Sequence, residues 1–139
     1  MELLNMIQKE NTKEAKYLGL DIENEYGYAQ GVKVGDTIYL SGQVSIDDQG
    51  NIVGVGNMET QIRQAYANIQ KVLEQYDASI ENIVDEIIFV TDMEAAAKVG
   101  GKCRREIYSG TPVVTSTVIE ISRLAFPELM VEIKCIAKI

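Results

Sequence analysis

The spacing of apolar residues changes near Met58, and that change limits the architectures open to this chain. Upstream, "YAQGVKVGDTIYLSGQVSID" from Tyr28 alternates apolar with polar residues, the period of strands that bury one face. Gly35-Asp36 in its middle suits a two-residue hairpin turn with glycine first. "DDQGN" (47–51) is a turn cluster, and "IVGVG" supplies a short strand or a loop. From Met58, Ile62, Tyr66, Ile69, Val72, Leu73 and Tyr76 recur at three- and four-residue steps, which predicts an amphipathic helix capped by Asn57 or Thr60.

β character returns in "IVDEIIFVTD" (83–92) after a tight helical turn at "SIEN". A second helix is predicted over 93–110, weakened by Gly100-Gly101 and ended by Gly110 before Pro112. Strands over about 114–123 and 129–138 finish the chain. The order is β-β-(β)-α-β-α-β-β, an α+β domain with two helices on one face of a single mixed sheet. The other sheet face then needs a cover, and for a chain of 139 residues that cover is another copy of itself.

Composition narrows function. A net charge of −8 opposes phosphate binding, and the densest basic group is only Lys102, Arg104 and Arg105, so nucleic acid is not an expected partner. No apolar run is long enough for a membrane span and no secretory leader is visible, so a cytoplasmic protein with reduced Cys103 and Cys135 is expected. There is no histidine, which removes His-based nucleophile systems and the commonest zinc ligand. Any chemistry must use carboxylates, hydroxyls, backbone groups, Arg or Lys, or water.

Four segments, "YGYAQGVKVGDTIYLSGQVSID", "QAYANIQKVLEQYDASIENIV", "IIFVTDM" and "SRLAFPELMVEIKCIA", resemble the YjgF/Rid family, also called endoribonuclease L-PSP. The resemblance runs from about Tyr26 to Ile139; residues 1–25 of the single 1–139 domain fall largely outside it. It implies a chorismate-mutase-like fold, a homotrimer, and small-molecule clefts at the subunit boundaries. It also implies hydrolysis of imines and enamines, with neither cofactor nor metal, to a carbonyl compound and ammonia.

Position by position, Tyr28 matches the tyrosine before the first strand, Gly42 a cleft glycine, and Glu132 the glutamate that positions water. Glu94 replaces an asparagine and Val118 a frequent cysteine. The family's carboxylate-gripping arginine is missing from "TPVVTSTVIEISRL". Counting from Pro112 its place holds Val114; counting back from Leu124 it holds Ser116. Arg123 lies seven residues beyond Ser116, about 23 Å along a strand at roughly 3.3 Å per residue and on the opposite face. The pocket is therefore expected to be polar but without a cation, with Ser116 and Thr117 among its ligand-binding residues.

Each of these residues also has a plainer reading. Gly42 serves a bulge, Tyr28 seals a subunit seam, and Glu132 is solvated beside Lys134. Glu94 complements the helix dipole. Arg104 and Arg105 read as helix-surface charges, Cys103 as core and Cys135 as a strand residue. The functional readings are correspondingly three: an imine or enamine hydrolase using Glu132, a non-catalytic binding or regulatory trimer, and, least favoured by charge, a ribonuclease.

Overall fold

The computed structural model describes residues 1–10 and 12–139, with the side chains of residues 9 and 10 excepted. Seven strands form one sheet in the order β1-β2-β3-β7-β5-β6, with β4 also on β7. They are β1 (Glu14–Lys16), β2 (Gly31–Val34), β3 (Thr37–Leu40), β4 (Gln43–Val44), β5 (Ile83–Val90), β6 (Thr115–Glu120) and β7 (Val131–Lys138). Only β5 and β6 run parallel, joined through a helix; every other pair is antiparallel. This is the mixed α+β sheet that the residue pattern predicts.

Helices α3 (Met58–Glu74) and α4 (Met93–Ile107) belong to one face. The predicted stripe of α3, Ile62, Tyr66, Ile69, Val72, Leu73 and Tyr76, is buried throughout. It packs on Val131, Ile133, Cys135 and Ala137, the alternate residues of β7, all of which are buried. Each such large side chain contributes roughly 1.5–3 kcal/mol of hydrophobic stabilisation. Of the two candidate caps, Asn57 is the one used: its side chain accepts the Thr60 N–H at 3.0 Å.

Two buried amides on α3 tie loops to the sheet. Asn68 donates to the carbonyls of Val44 and Ile46 at 2.8 and 2.9 Å. Gln61 donates to Gly54 and Glu128 and accepts the Met130 N–H, which fixes the entry to β7.

The hairpin turn falls at Gly35-Asp36, with Val34 paired to Thr37 and Gly35 at φ 59°. Helix α4 runs through Gly100-Gly101 and stops earlier than glycine placement predicts. Ser109 already adopts a left-handed φ of 55°, so the helical path ends before Gly110.

The first 25 residues carry structure that the apolar pattern leaves unassigned. Helix α1 (Glu2–Glu10) precedes β1, which pairs with β2, and α2 (Asp21–Tyr26) follows. Tyr76 of the α3 C-terminal turn donates to the Glu14 carbonyl at 2.8 Å, so β1 is held from the helical layer as well. Glu23, 5% exposed, accepts the N–H groups of Leu18, Gly19 and Leu20 at 2.7, 3.1 and 3.1 Å. Replacing Glu23 with Ala leaves three donors without that partner. It is expected to cost about 2 kcal/mol of stability and to raise amide exchange over residues 17–28 first, measured by denaturant unfolding and hydrogen exchange.

Candidate functional site

The path between β3 and β4 shapes one end of the open sheet face. Both strands lie on the same edge of β7, but the register slips by one residue between the pairs Tyr39–Ile136 and Gln43–Ile133. The extra residue makes a bulge at Ser41-Gly42. Ser41 donates its hydroxyl to the Ala29 carbonyl at 2.7 Å and its N–H to the Gln30 carbonyl at 2.8 Å. Buried Gln43 donates to Gln30 Oε1 at 2.8 Å. These bonds lay the segment carrying Tyr28 along the bulge.

Glu132 projects toward the same place. A Cβ built on Gly42 would stand 2.6 Å from Glu132 Cδ and 2.8 Å from its Oε1. The space that glycine leaves is therefore filled by the carboxyl group of Glu132, and this accounts for Gly42 more directly than a ligand against bare backbone does. Val44 and Phe89 pair with Glu132 from the two neighbouring strands and share its face. Burial beside them raises the Glu132 pKa above the ordinary carboxylate value, with the Lys134 charge opposing. Burial likewise raises the Tyr28 phenol, offset in part by Gln30 and reinforced by the charges of Glu23 and Glu132. Among the described residues no side chain hydrogen-bonds the Glu132 carboxylate.

The remaining predicted residues lie elsewhere. Thr117 is on β6, two strands from β7, but it pairs with Ile87 and so shares the face of Glu132. Ser116 pairs with Glu86 and faces the helices, so within one chain Ser116 and Glu132 are on opposite sides of the sheet. Glu94 is exposed in the first turn of α4, and its neighbour Met93, not Glu94, reaches the hollow behind Ser116. All six residues of β6 are exposed. Its hydroxyls answer to an edge position: Thr115 donates to Asp85 Oδ1 at 2.6 Å.

Arg104 is not the surface charge that its helix position suggests. It donates through Nε and Nη2 to Glu86 Oε1 at 3.1 and 2.9 Å. Glu86, with no exposed surface, also accepts the hydroxyls of Tyr66 at 2.5 Å and Tyr108 at 3.2 Å. Burial, and then the Glu86 charge, push both phenols well above their ordinary value, so they stay protonated donors. The signal for this network was present in "IVDEIIFV": Glu86 falls on the inward phase of Ile88 and Val90, where a carboxylate requires a cation. Cys103 and Cys135 are both buried free thiols. Among the described residues no three carboxylates or thiols stand close enough to hold a metal, and no helix is long and apolar enough to cross a membrane.

Comparison with known proteins places this geometry in a context. Residues 20–139 match the model of the family described as Endoribonuclease L-PSP. A RutC family protein of Saccharolobus solfataricus is 33% identical over 111 residues, 80% of this chain and 86% of that one. A 2-iminobutanoate/2-iminopropanoate deaminase of Dermatophagoides farinae is 35% identical over 63 residues, 45% of this chain and 49% of that one. The solved structure of the protein YjgH superposes with a TM-score of 0.81 at 26% identity, covering 91% of this chain and 96% of that one.

Two outcomes test the site. Gly42→Ala is expected to lower stability by about 1 kcal/mol, and the loss should vanish in a Glu132→Ala background, a coupling read from a double-mutant cycle. Glu132 binds its proton more tightly folded than unfolded, so its contribution to stability falls as pH rises from the ordinary carboxylate range through its raised folded value. Glu132→Gln should therefore raise the Tm at pH 7 and leave it unchanged at pH 4.

Proposed function

Because the chain belongs to the YjgF/Rid (endoribonuclease L-PSP) family, we propose that it is a small-molecule hydrolase whose water-positioning group is Glu132. Its substrates would be imine- or enamine-type metabolites, converted to a carbonyl compound and ammonia. One observation carries this reading: a half-buried carboxylate with a raised pKa stands against the Gly42 backbone, within electrostatic reach of Tyr28. The deaminase name of the Dermatophagoides farinae relative supports the reaction class.

The chemistry asks for a group that takes and returns a proton. Water beside Glu132 attacks the C=N carbon as the carboxylate removes one of its protons. Passing that proton to nitrogen gives the carbinolamine. Moving a second proton from its hydroxyl to nitrogen breaks the C–N bond, forms C=O and releases ammonia; an enamine first takes a proton on carbon. A desolvated carboxyl serves both directions because its acid and base forms are closer in free energy near neutral pH. Tyr28, kept protonated, supplies a hydrogen-bond donor at the same mouth.

The cleft would be completed by assembly as a homotrimer. The face opposite the helices carries Ile87, Phe89, Ile119 and Ile136, with Ile119 42% and Tyr39 49% exposed. Apolar area of this kind is covered by self-association in many small domains. Thr117 and Glu132 share that face, and Ser116 would enter a cleft only from a neighbouring copy.

A second reading, binding without turnover, draws on the charge near Glu132. Lys134 is the cation that acts on it, and its ammonium donates to the Leu40 carbonyl at 3.1 Å. An amino-acid-derived anion thus lacks a guanidinium partner there. The two readings separate when 2-aminoacrylate is generated in place by a pyridoxal-phosphate dehydratase and ammonia release is followed. Hydrolysis above the protein-free rate, lost in Glu132→Gln with trimer mass retained by light scattering, is the expected result. No acceleration, or full activity in Glu132→Gln, removes the proposed role of Glu132.

A further inference from the structure

Behind Tyr28 stand two buried amides, Gln30 at 2% and Gln43 at 4% exposure. An amide side chain has two donors at one end and an acceptor at the other, so its neighbours decide which way round it sits. Here a backbone carbonyl decides. Gln43 Nε2 is 3.0 Å from the Ser41 carbonyl oxygen, which can only accept, so the NH2 end of Gln43 is turned to it. The second N–H on that nitrogen goes to Gln30 Oε1 at 2.8 Å. Gln30 therefore gives its acceptor end to Gln43 and keeps its NH2 end. Reversing either amide would set donor against donor or acceptor against acceptor away from water, which is the costly arrangement.

The NH2 end of Gln30 meets Tyr28. Burial raises the phenol pKa most; the side-chain hydrogen bond with Gln30 acts the other way and lowers it. That sign identifies the donor. An amide N–H given to the phenol oxygen favours phenolate, whereas a phenol donating to the amide carbonyl favours the protonated form. In the ring plane a phenol oxygen has one O–H and one lone pair. With the lone pair taken by Gln30, the O–H proton points away from the amide. Two carboxylates reach Tyr28 by charge, Glu23 and Glu132. Glu23 is occupied by the N–H groups of Leu18, Gly19 and Leu20, and Glu132 stands at the Gly42 bulge.

We propose that Gln30 and Gln43 are positioning residues: they carry the polarity of the Ser41 carbonyl through to Tyr28 and fix its hydroxyl as a donor toward the mouth it shares with Glu132, where it meets a lone pair on the reacting nitrogen or oxygen. The second half rests on the hydrolase reading; the direction of the hydroxyl does not. A tyrosine without this backing turns its proton either way and accepts as readily as it donates. Held as a donor, Tyr28 hydrogen-bonds the nitrogen of a neutral imine and draws electron density from the C=N carbon as water attacks.

The test is one of sign. Gln30→Met keeps the length of the side chain and removes its N–H groups. In protein isotope-labelled at the tyrosine Cζ, the Tyr28 resonance should titrate about one pH unit higher in Gln30→Met than in the native chain. An unchanged or lower titration overturns the proposal. At pH 7, Tyr28→Phe should move one Gln30 side-chain NH2 proton upfield and leave those of Gln43 in place; a Gln30 signal that does not move also overturns it. This second reading needs no change at Gln30, so it holds where Gln30→Met does not fold. In the ammonia-release assay, Tyr28→Phe and Gln30→Met should each slow the native rate about tenfold or more, and the double variant should be no slower than Tyr28→Phe alone. Effects that multiply in the double variant overturn the relay. If the native protein releases no ammonia, the hydrolase reading falls, and the two NMR readings still decide the direction of the hydroxyl.

Discussion

Packing of α3 on the inner face of β7 is the constraint from which the other elements take their places. Val131, Ile133, Cys135 and Ala137 on the strand, with Ile69, Val72 and Leu73 on the helix, leave at most 1% of their surface to water. Interiors this close-packed fix neighbours to within fractions of an ångström. With β7 held this way, its two edges become templates. One accepts β5 and, beyond it, β6; the other accepts β3 and β4 in turn. Gln61 and Asn68, rooted in the same helix, hold the irregular segments beside the start of β7 in line.

The slip between β3 and β4 turns this framework into a chemical feature. Any larger residue at Gly42 would carry a Cβ to within 2.6 Å of Glu132 Cδ. A bulge with glycine in it allows the carboxyl to lie against backbone, between Val44 and Phe89, where burial raises its pKa. The glycine, the raised pKa and the position of Tyr28 are one arrangement with a common cause. On the other side of the sheet a different carboxylate has the opposite fate. Glu86 is wholly enclosed but accepts bonds from an arginine and two tyrosines, so its charge is compensated in place. The protein thus holds one half-buried carboxylate without a side-chain hydrogen bond among the described residues and one enclosed by its partners.

Much of this could be read along the chain. The α3 stripe, the Gly35-Asp36 turn, the Asn57 cap and the alternation in β5 and β7 are local patterns, and each appears where its period places it. Within the N-terminal region β1 and α2 resisted reading because a three-residue strand and a six-residue helix are too short to show a period. The α4 boundary moved because Ser109, not a glycine, takes the left-handed turn. The candidate site was legible only in pieces. Tyr28, Gly42 and Glu132 come together, whereas Ser116 and Glu94 do not join them within one chain.

By itself the sequence determined the kinds of group available and the faces on which they fall. With no histidine, nucleophile systems built on that residue are closed to this chain, and period-two alternation sends Ser116 and Thr117 to opposite sides of β6 whatever else happens. Only tertiary structure decided the company each group keeps. Arg104 and Glu86 are 18 positions apart, and Gly42 and Glu132 are farther still, so no local pattern relates them. Their pairing depends on strand register and on the angle at which a helix lies over a sheet, which the packing of the whole core sets.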